Sequence, residues 1–351
     1  MSMPQTDRCA PRPADFRPPR LLRNPHLQSL LASSALRRWL HRNRHRAFEQ
    51  RSSEVLLDCG DGVRLQGFHA QADVRPARGL VVLLHGWEGS AQSGYMLAIG
   101  QRLLDEGHDV FRLNFRDHGA THHLNREIFH SCRIDEVVGA VRDIAVRFGE
   151  RPLSVAGFSL GGNFALRVAL RAPAAGVPLA GAYAVCPAIH PPHVLHALER
   201  GSGLYHAYFM AKWRGSLKRK QQLFPDAYVF DQRFFKQRMR ALTAELITRY
   251  TDFDSIDAYF DGYSIRGDRL AAMQVPCAIL TARDDPIIPI DDFHALQLPP
   301  QITLDIAPYG GHCGFIGDWS LRSYAEDFLV ERLAAAGQQS ASQPARRTPA
   351  A

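Results

Sequence analysis

Long apolar runs are missing from this chain. The longest uninterrupted aliphatic stretch is Leu80 to Leu84, far short of the roughly 18 consecutive apolar residues that a spanning helix needs. A transmembrane segment is therefore not expected. The N-terminus carries charges and prolines where a secretory signal would need an apolar core, so no export signal is read and the expected compartment is the cytoplasm. Cysteine is also sparse: six in 351 residues, at positions 9, 59, 132, 186, 277 and 313, with no C-x-x-C or similar close pair. That spacing argues against a zinc knuckle and a disulfide scaffold and predicts reduced thiols. An excess of charge of one sign is confined to one segment. Of the net charge of +7, residues 1–51 contribute eleven arginines against three acidic residues, a balance of +8 that leaves −1 for the remaining 300. A nearly neutral body gives no reason to expect a nucleic-acid partner. What remains is ordinary globular composition, 46% apolar and 22% charged, with ample length for a large core.

The pattern along the chain is an alternation of strands and helices. Two short strand candidates, Glu54 to Leu57 and Val63 to His69, flank the turn-rich Asp58-Cys59-Gly60-Asp61-Gly62, a hairpin signal. Leu80 to Leu84 reads as a strand covered on both faces, as in a parallel sheet. Further strands are predicted at Asp109 to Leu113, Leu153 to Ala156, Leu179 to Val185, Ala278 to Thr281 and Ile302 to Ile306. Helical period links Met96, Ile99, Leu103 and Leu104, and more cleanly Ile134, Val137, Val138, Val141, Ile144, Ala145 and Phe148. A third amphipathic face joins Leu321, Tyr324, Phe328 and Leu329. Strand, helix, strand in repetition is an α/β sheet. The alternation breaks between Pro187 and about Leu270, where aromatic and basic residues replace aliphatic runs. We read that segment as a helical lid insertion, since so long a departure in a compact domain usually covers a site. The expected layout is a disordered leader at 1–19, a basic helical arm at 20–51, an α/β domain at 52–336 with its lid at about 187–270, and a disordered tail at 337–351.

Chemistry concentrates at strand ends. Gly157-Phe158-Ser159-Leu160-Gly161-Gly162 follows the strand Leu153 to Ala156 and precedes a helix over Asn163 to Leu170. This is G-x-S-x-G in the context it requires: the serine occupies a strained strand-to-helix corner, and small residues on either side let neighbouring backbone approach. The Leu160 amide, at the positive end of that helix, can face a developing oxyanion. A serine hydroxyl is a weak nucleophile at neutral pH and needs a histidine base with an acid to orient it. In this strand logic they follow as acid, then histidine. Thr281-Ala282-Arg283-Asp284-Asp285-Pro286 and Gly310-Gly311-His312 each follow a strand in that order. Asp285 is favoured over Asp284 as the acid, because Pro286 fixes a turn that aims its carboxylate back. The second oxyanion donor is expected from His85-Gly86-Trp87-Glu88-Gly89, through the Trp87 amide, with His85 bracing the loop.

These residues resemble the α/β-hydrolases. Asn24-Pro25-His26-Leu27-Gln28-Ser29-Leu30, His85 through Ser90, Asn114-Phe115-Arg116, Gly157 through Asn163, Asp284-Asp285-Pro286 and Gly310-Gly311-His312-Cys313-Gly314-Phe315 are similar to the YheT-like esterase branch. That branch is related to ABHD lipases and to yeast ester-forming acyltransferases. The serine elbow belongs to the whole superfamily, whereas the Asn-Pro-His-Leu-Gln segment and the Gly-Gly-His ending point to the branch. The resemblance implies an α/β-hydrolase fold with a mostly parallel sheet and hydrolysis of carboxylic esters of medium or long acyl chains, with neither metal nor organic cofactor. Two departures bear on acyl preference: Asp117 stands where relatives tend to carry glycine, and Trp87 is bulkier than usual.

The reading assigns Ser159 as nucleophile, His312 as base, Asp285 as its orienting acid, and the Leu160 and Trp87 amides as the oxyanion hole. The partner is a small ester or lipid. Acyl transfer to an alcohol would use the same residues, and a catalytically silent member would act as a ligand-binding or scaffold protein, against which the intact triad speaks. Several weaker signals have bland explanations. His118, His122, His123 and His130 read as surface-loop histidines rather than metal ligands. Lys212, Arg214, Lys218, Arg219 and Lys220 around Trp213 read equally as a head-group contact or a solvated face, and Cys186 and Cys313 as small buried side chains. In the arm, Leu27, Leu30, Leu31, Leu36, Trp39 and Leu40 alternate with arginines. That strip either meets an anionic membrane surface peripherally or packs on the body, and the second is the commoner use of an amphipathic helix. Co-sedimentation with anionic liposomes separates the two, since interfacial binding weakens at high salt and a packed arm does not bind.

Overall fold

A computed structural model describes the backbone of residues 11–342 and the side chains of residues 11–337. Cys9, residues 1–10 of the expected leader and residues 343–351 of the expected tail lie outside the described residues. Nine strands form one sheet: β1 (Arg12–Pro13), β2 (Ser52–Asp58), β3 (Arg64–Ala70), β4 (Leu80–Leu84), β5 (Asp109–Leu113), β6 (Leu153–Phe158), β7 (Leu179–Val185), β8 (Cys277–Ala282) and β9 (Ile302–Ala307). Their order is β1-β9-β8-β7-β6-β4-β5-β3-β2. The β2/β3 and β3/β5 pairs are antiparallel; the remaining pairs are parallel.

The apolar run at β4 shows why the sheet is sandwiched. All five of its residues are buried, and alternate side chains serve opposite faces, as strand geometry demands. Val81 and Leu83 join a core with Phe48, Met96, Ile99, Phe328 and Leu329, whereas Leu80, Val82 and Leu84 join Val137, Val141, Ile144, Phe164 and Val168. Helices α1 (Pro25–Ala32), α2 (Ala35–Leu40), α3 (Arg42–Gln50), α4 (Gly94–Asp105), α5 (Ile134–Phe148) and α6 (Leu160–Arg171) precede β7. Between β7 and β8 the chain makes only helices: α7 (Pro191–Arg200), α8 (Gly203–Leu223), α9 (Gln232–Lys236), α10 (Met239–Tyr250) and α11 (Ile256–Tyr263). Short α12 (Ile290–His294) and long α13 (Tyr324–Ser342) complete the set. Among the described residues no helix is long and apolar enough to cross a membrane.

The termini differ from the sequence expectation. From residue 11 the leader is placed: β1 pairs with β9 in register Arg12↔Asp305, and Phe16 is buried, stacked on Tyr324 with ring centroids 5.2 Å apart. An open edge on β9 and one aromatic anchor outweigh the proline-rich composition; Pro13 costs nothing at a sheet edge, where its missing N–H needs no partner. At the other end α13 runs to Ser342, six residues into the expected tail.

The arm packs on the body, yet not by the strip its sequence suggests. Asn24 Oδ1 accepts the His26 and Leu27 amides, both at 3.0 Å, capping α1 ahead of Pro25. The buried positions are Leu22, Gln28, Ala32, Arg37, His45 and Phe48, and Arg37 pairs with Glu326 at 2.6 Å. Leu27, Leu30, Leu36, Trp39 and Leu40 stay 36–58% exposed. A mixed polar and apolar face is buried because the surface it meets offers matching carbonyls and a carboxylate.

In the basic and histidine clusters, Lys220, His118 and His122 depart from their bland readings. Lys220 is 1% exposed, and its Nζ donates to Asp117 Oδ1 at 2.7 Å and to the Asn125 carbonyl at 2.6 Å. Asp117 sits at φ +59°, a conformation glycine adopts freely; here the buried ion pair to α8 accompanies the strained residue. Lys212, Lys218 and Arg219 are exposed, and Arg214 half-buried. His118 and His122 are buried rather than at the surface, whereas His123 is exposed and His130 half-buried. His118 Nε2 accepts the Glu88 amide at 3.2 Å, and His122 Nε2 lies 2.8 Å from Ser216 Oγ on α8. Burial and neighbouring positive charge depress His122 to about 3, so it braces the loop as a neutral ring.

Candidate active site

At the end of β6 the chain turns through Ser159 with φ +54° and ψ −119°, a region that side chains rarely occupy. Two glycines make the turn possible. A Cβ on Gly157 would stand 2.1 Å from the Gly161 carbonyl oxygen, and one on Gly161 would stand 2.3 Å from that of Leu84. The strain holds Ser159 at the C-terminal edge of the sheet, where open α/β folds place their ligands.

Three strand-end loops converge there. Ser159 Oγ is 2.9 Å from His312 Nε2, and His312 Nδ1 is 2.9 Å from Asp285 Oδ2. The Asp285 carboxylate accepts from Nδ1–H and so leaves Nε2 as the acceptor for the serine proton. Its Oδ1 accepts the Ile287 and Ile288 amides at 2.8 and 3.0 Å, the turn that Pro286 sets. Asp284 turns elsewhere: its Oδ1 accepts the Gly311 amide at 2.9 Å. The Asp285 side chain is 0% exposed and that of His312 is 11% exposed. Burial pushes the His312 pKa down, but the Asp285 carboxylate, then Cys313, outweigh it and hold the imidazole well above its ordinary value.

The Leu160 amide, at the start of α6, and the Trp87 amide, in the loop after β4, have no acceptor among the described residues. His85 braces that loop: Nδ1–H donates to the Gly86 carbonyl at 2.7 Å, and Nε2 accepts the Phe115 amide at 3.2 Å. Buried completely, His85 is held neutral, its pKa well below normal.

Two apolar cavities meet at Ser159 and His312. One, with about 920 Å³ free of protein atoms, runs beneath α7, α10 and α11 past Leu195, Met239, Leu246 and Tyr259. The other, about 910 Å³, lies between α1 and α8 and includes Leu30, Ala32, Leu204, Tyr205 and Tyr208. Trp87, Ser159, Phe209, Ile287 and His312 border both. Trp87 stacks on Phe209, centroids 5.4 Å apart, so its bulk forms part of the partition.

The sequence reading missed the arm's part in this site. Ser29 Oγ accepts the His312 amide at 2.8 Å and donates to the Pro25 carbonyl at 2.8 Å. Gln28 Oε1 accepts the Ile316 amide at 2.6 Å. A Cβ on Gly311, at φ +54°, would stand 2.3 Å from the Pro25 carbonyl oxygen, so the Gly-Gly-His loop and α1 fit only without a side chain there. The Asn-Pro-His-Leu-Gln-Ser run carried the signal, as a family motif without a chemical role. Ser29→Ala leaves a part-buried N–H unpaired, a cost of about 1–3 kcal/mol borne by the His312 loop. On the esterase reading proposed below, Ser29 positions His312: kcat should fall by up to about 100-fold with KM little changed, in steady-state kinetics on one ester. An unchanged kcat would show that the loop holds without it.

Sheet order, elbow and convergent loops define an α/β-hydrolase. The chain belongs to the family described as Hydrolase_4, serine aminopeptidase, S33, whose family model matches residues 75–312, and within the superfamily it falls in the YheT-like branch. It is 27% identical over 315 residues to "Putative esterase YheT" of Escherichia coli (strain K12), covering 87% of this chain and 88% of that one. It is 23% identical to Phospholipase ABHD3 of Mus musculus, covering 76% of this chain and 64% of that one. Among solved structures, the Pyrococcus furiosus esterase Pf2001 shares the fold, with a TM-score of 0.55 at 16% identity, covering 91% of this chain and 97% of that one.

Proposed function

We propose that the protein is a serine esterase acting through an acyl-enzyme on carboxylic esters with a sizeable apolar group on each side of the scissile bond. The observation that carries this is the hydrogen-bonded series Ser159–His312–Asp285 placed where two apolar cavities meet. The names of the relatives, an esterase and a phospholipase, support the reaction type.

The chemistry follows from the geometry. Ser159 Oγ attacks the ester carbonyl while His312 Nε2 takes its proton, and the imidazolium is compensated by Asp285. The carbonyl oxygen gains charge facing the Leu160 and Trp87 amides, which require no reorganisation to receive it. Collapse breaks the C–O bond, the His312 proton goes to the leaving alkoxide, and the alcohol departs along one cavity. Water then attacks the acyl-enzyme with His312 as base, and the acid leaves by the other. The apolar lining of both cavities suits medium or long chains.

p-Nitrophenyl esters of graded acyl length test the reading. Turnover per KM should rise from acetate to medium-chain esters, each buried methylene adding about 0.8 kcal/mol until the cavity is filled. Acetate as the best substrate would contradict an apolar acyl cavity.

A further inference from the structure

Two cysteines that lie 127 residues apart meet beside the reacting imidazole. Cys186 follows β7 and is fully buried; Cys313 follows His312 and borders the cavity between α1 and α8. The Cys313 amide donates to Cys186 Sγ at 3.4 Å, and Cys313 Sγ is 3.9 Å from His312 Nε2. Both sulfurs and a ring nitrogen of His312 lie within 4.8 Å of one another.

A tetrahedral zinc ion with bonds of about 2.3 Å to sulfur and 2.0–2.1 Å to nitrogen sets its ligands roughly 3.5–3.8 Å apart. The sulfur–nitrogen separation here is within a small side-chain shift of that figure. The ring is already oriented as metal sites orient theirs, with a carboxylate on Nδ1 and the other nitrogen facing only the Ser159 hydroxyl and the Cys313 sulfur. The hydrogen bonds that prepare Nε2 to accept the serine proton also prepare it to ligate. Charge agrees: Asp285, 2.9 Å from Nδ1, adds a negative charge behind the ring. An incoming dication displaces the thiol protons, as thiolate ligation to zinc-class ions does. The fourth position falls to Ser159 Oγ or water, and entry is through the cavity that Cys313 borders.

We propose that Cys186, Cys313 and His312 form a binding site for a thiophilic divalent cation of the zinc class, and that a bound ion arrests hydrolysis by occupying the Nε2 lone pair. The site stands on the geometry alone; the arrest rests on the triad reading above.

Cadmium reports the site without substrate, because a thiolate-to-cadmium absorption band in the ultraviolet appears only where sulfur ligates. The full chain, freed of metal by a chelator and then transferred to chelator-free buffer, should develop that band to one Cd²⁺ per chain. Cys186→Ser and Cys313→Ser should each abolish it. Zn²⁺ should inhibit ester turnover in step with occupancy and release it on chelation. In Cys186→Ser, read against its own metal-free rate, the inhibiting concentration should rise by about 100-fold or more, since loss of even an outer-shell partner costs about 10–100-fold. Absence of the band, its persistence in either serine variant, or full occupancy without inhibition of an active enzyme would each overturn the proposal. A chain that develops the band yet hydrolyses no ester sinks the esterase reading and leaves the metal site standing.

Discussion

Ser159→Ala is expected to lower ester turnover by a factor on the order of 10⁶, and His312→Ala by a comparable factor, because nucleophile and base act as one unit. The double variant should lose no more than either single one. The reason is visible in the hydrogen bonds: Ser159 Oγ has His312 Nε2 as its acceptor at 2.9 Å, so without the ring the hydroxyl has no place to lose its proton, and without the hydroxyl the ring has nothing to activate. Steady-state rates on one p-nitrophenyl ester, measured down to the background of buffer hydrolysis, check this. Turnover that survives Ser159→Ala would require another nucleophile, and losses that add in the double variant would mean that the two side chains do not work together.

The second large effect separates two adjacent carboxylates. Asp285→Asn should reduce turnover by about 10⁴-fold, because an amide can present N–H₂ to Nδ1 and favour the wrong tautomer. Asp284→Asn should be mild, since its role is to accept the Gly311 amide at 2.9 Å and an amide oxygen can still do that. The pH profile gives an independent check. The base must be neutral, so activity falls as pH drops through the His312 pKa; because Asp285 and Cys313 hold that pKa well above the ordinary histidine value, the acid limb should lie above about 6.5. Removing the Asp285 charge removes the first of those two influences, and in Asp285→Asn the limb should move toward lower pH. A limb that stays in place would place the titrating group elsewhere.

What could be read from sequence was what the local backbone decides. Leu80–Leu84, Asp109–Leu113 and Leu179–Val185 have their predicted bounds; in the first and last, apolar runs beside glycine or proline leave few alternatives to a buried strand. The elbow was legible for the same reason: glycines two residues either side of a serine are needed by its turn. Pro286 favoured Asp285 over Asp284, again a local constraint, and the Asp285 carboxylate lies 2.9 Å from His312 Nδ1. What escaped depends on segments far apart in the chain. Nothing near Ser29 says that its hydroxyl receives the His312 amide, 283 residues away, and although Cys186 and Cys313 both follow strand ends near the site, nothing in the sequence says that they touch. His118 and His122 looked like surface residues because a polar loop sequence does not show that α8 covers it. The arm's apolar strip was legible as a pattern, but which face a short helix buries depends on the surface it meets, and here Gln28 and Arg37 face inward.

The central claim is that Ser159 is the activated nucleophile, and covalent labelling tests it without knowledge of the natural substrate. A fluorophosphonate should add to the intact protein once, with mass spectrometry placing the phosphonyl group on the peptide that contains Ser159. Labelling should vanish in Ser159→Ala and be strongly slowed in His312→Ala. An adduct on any other residue, or one that persists in Ser159→Ala, would contradict the account.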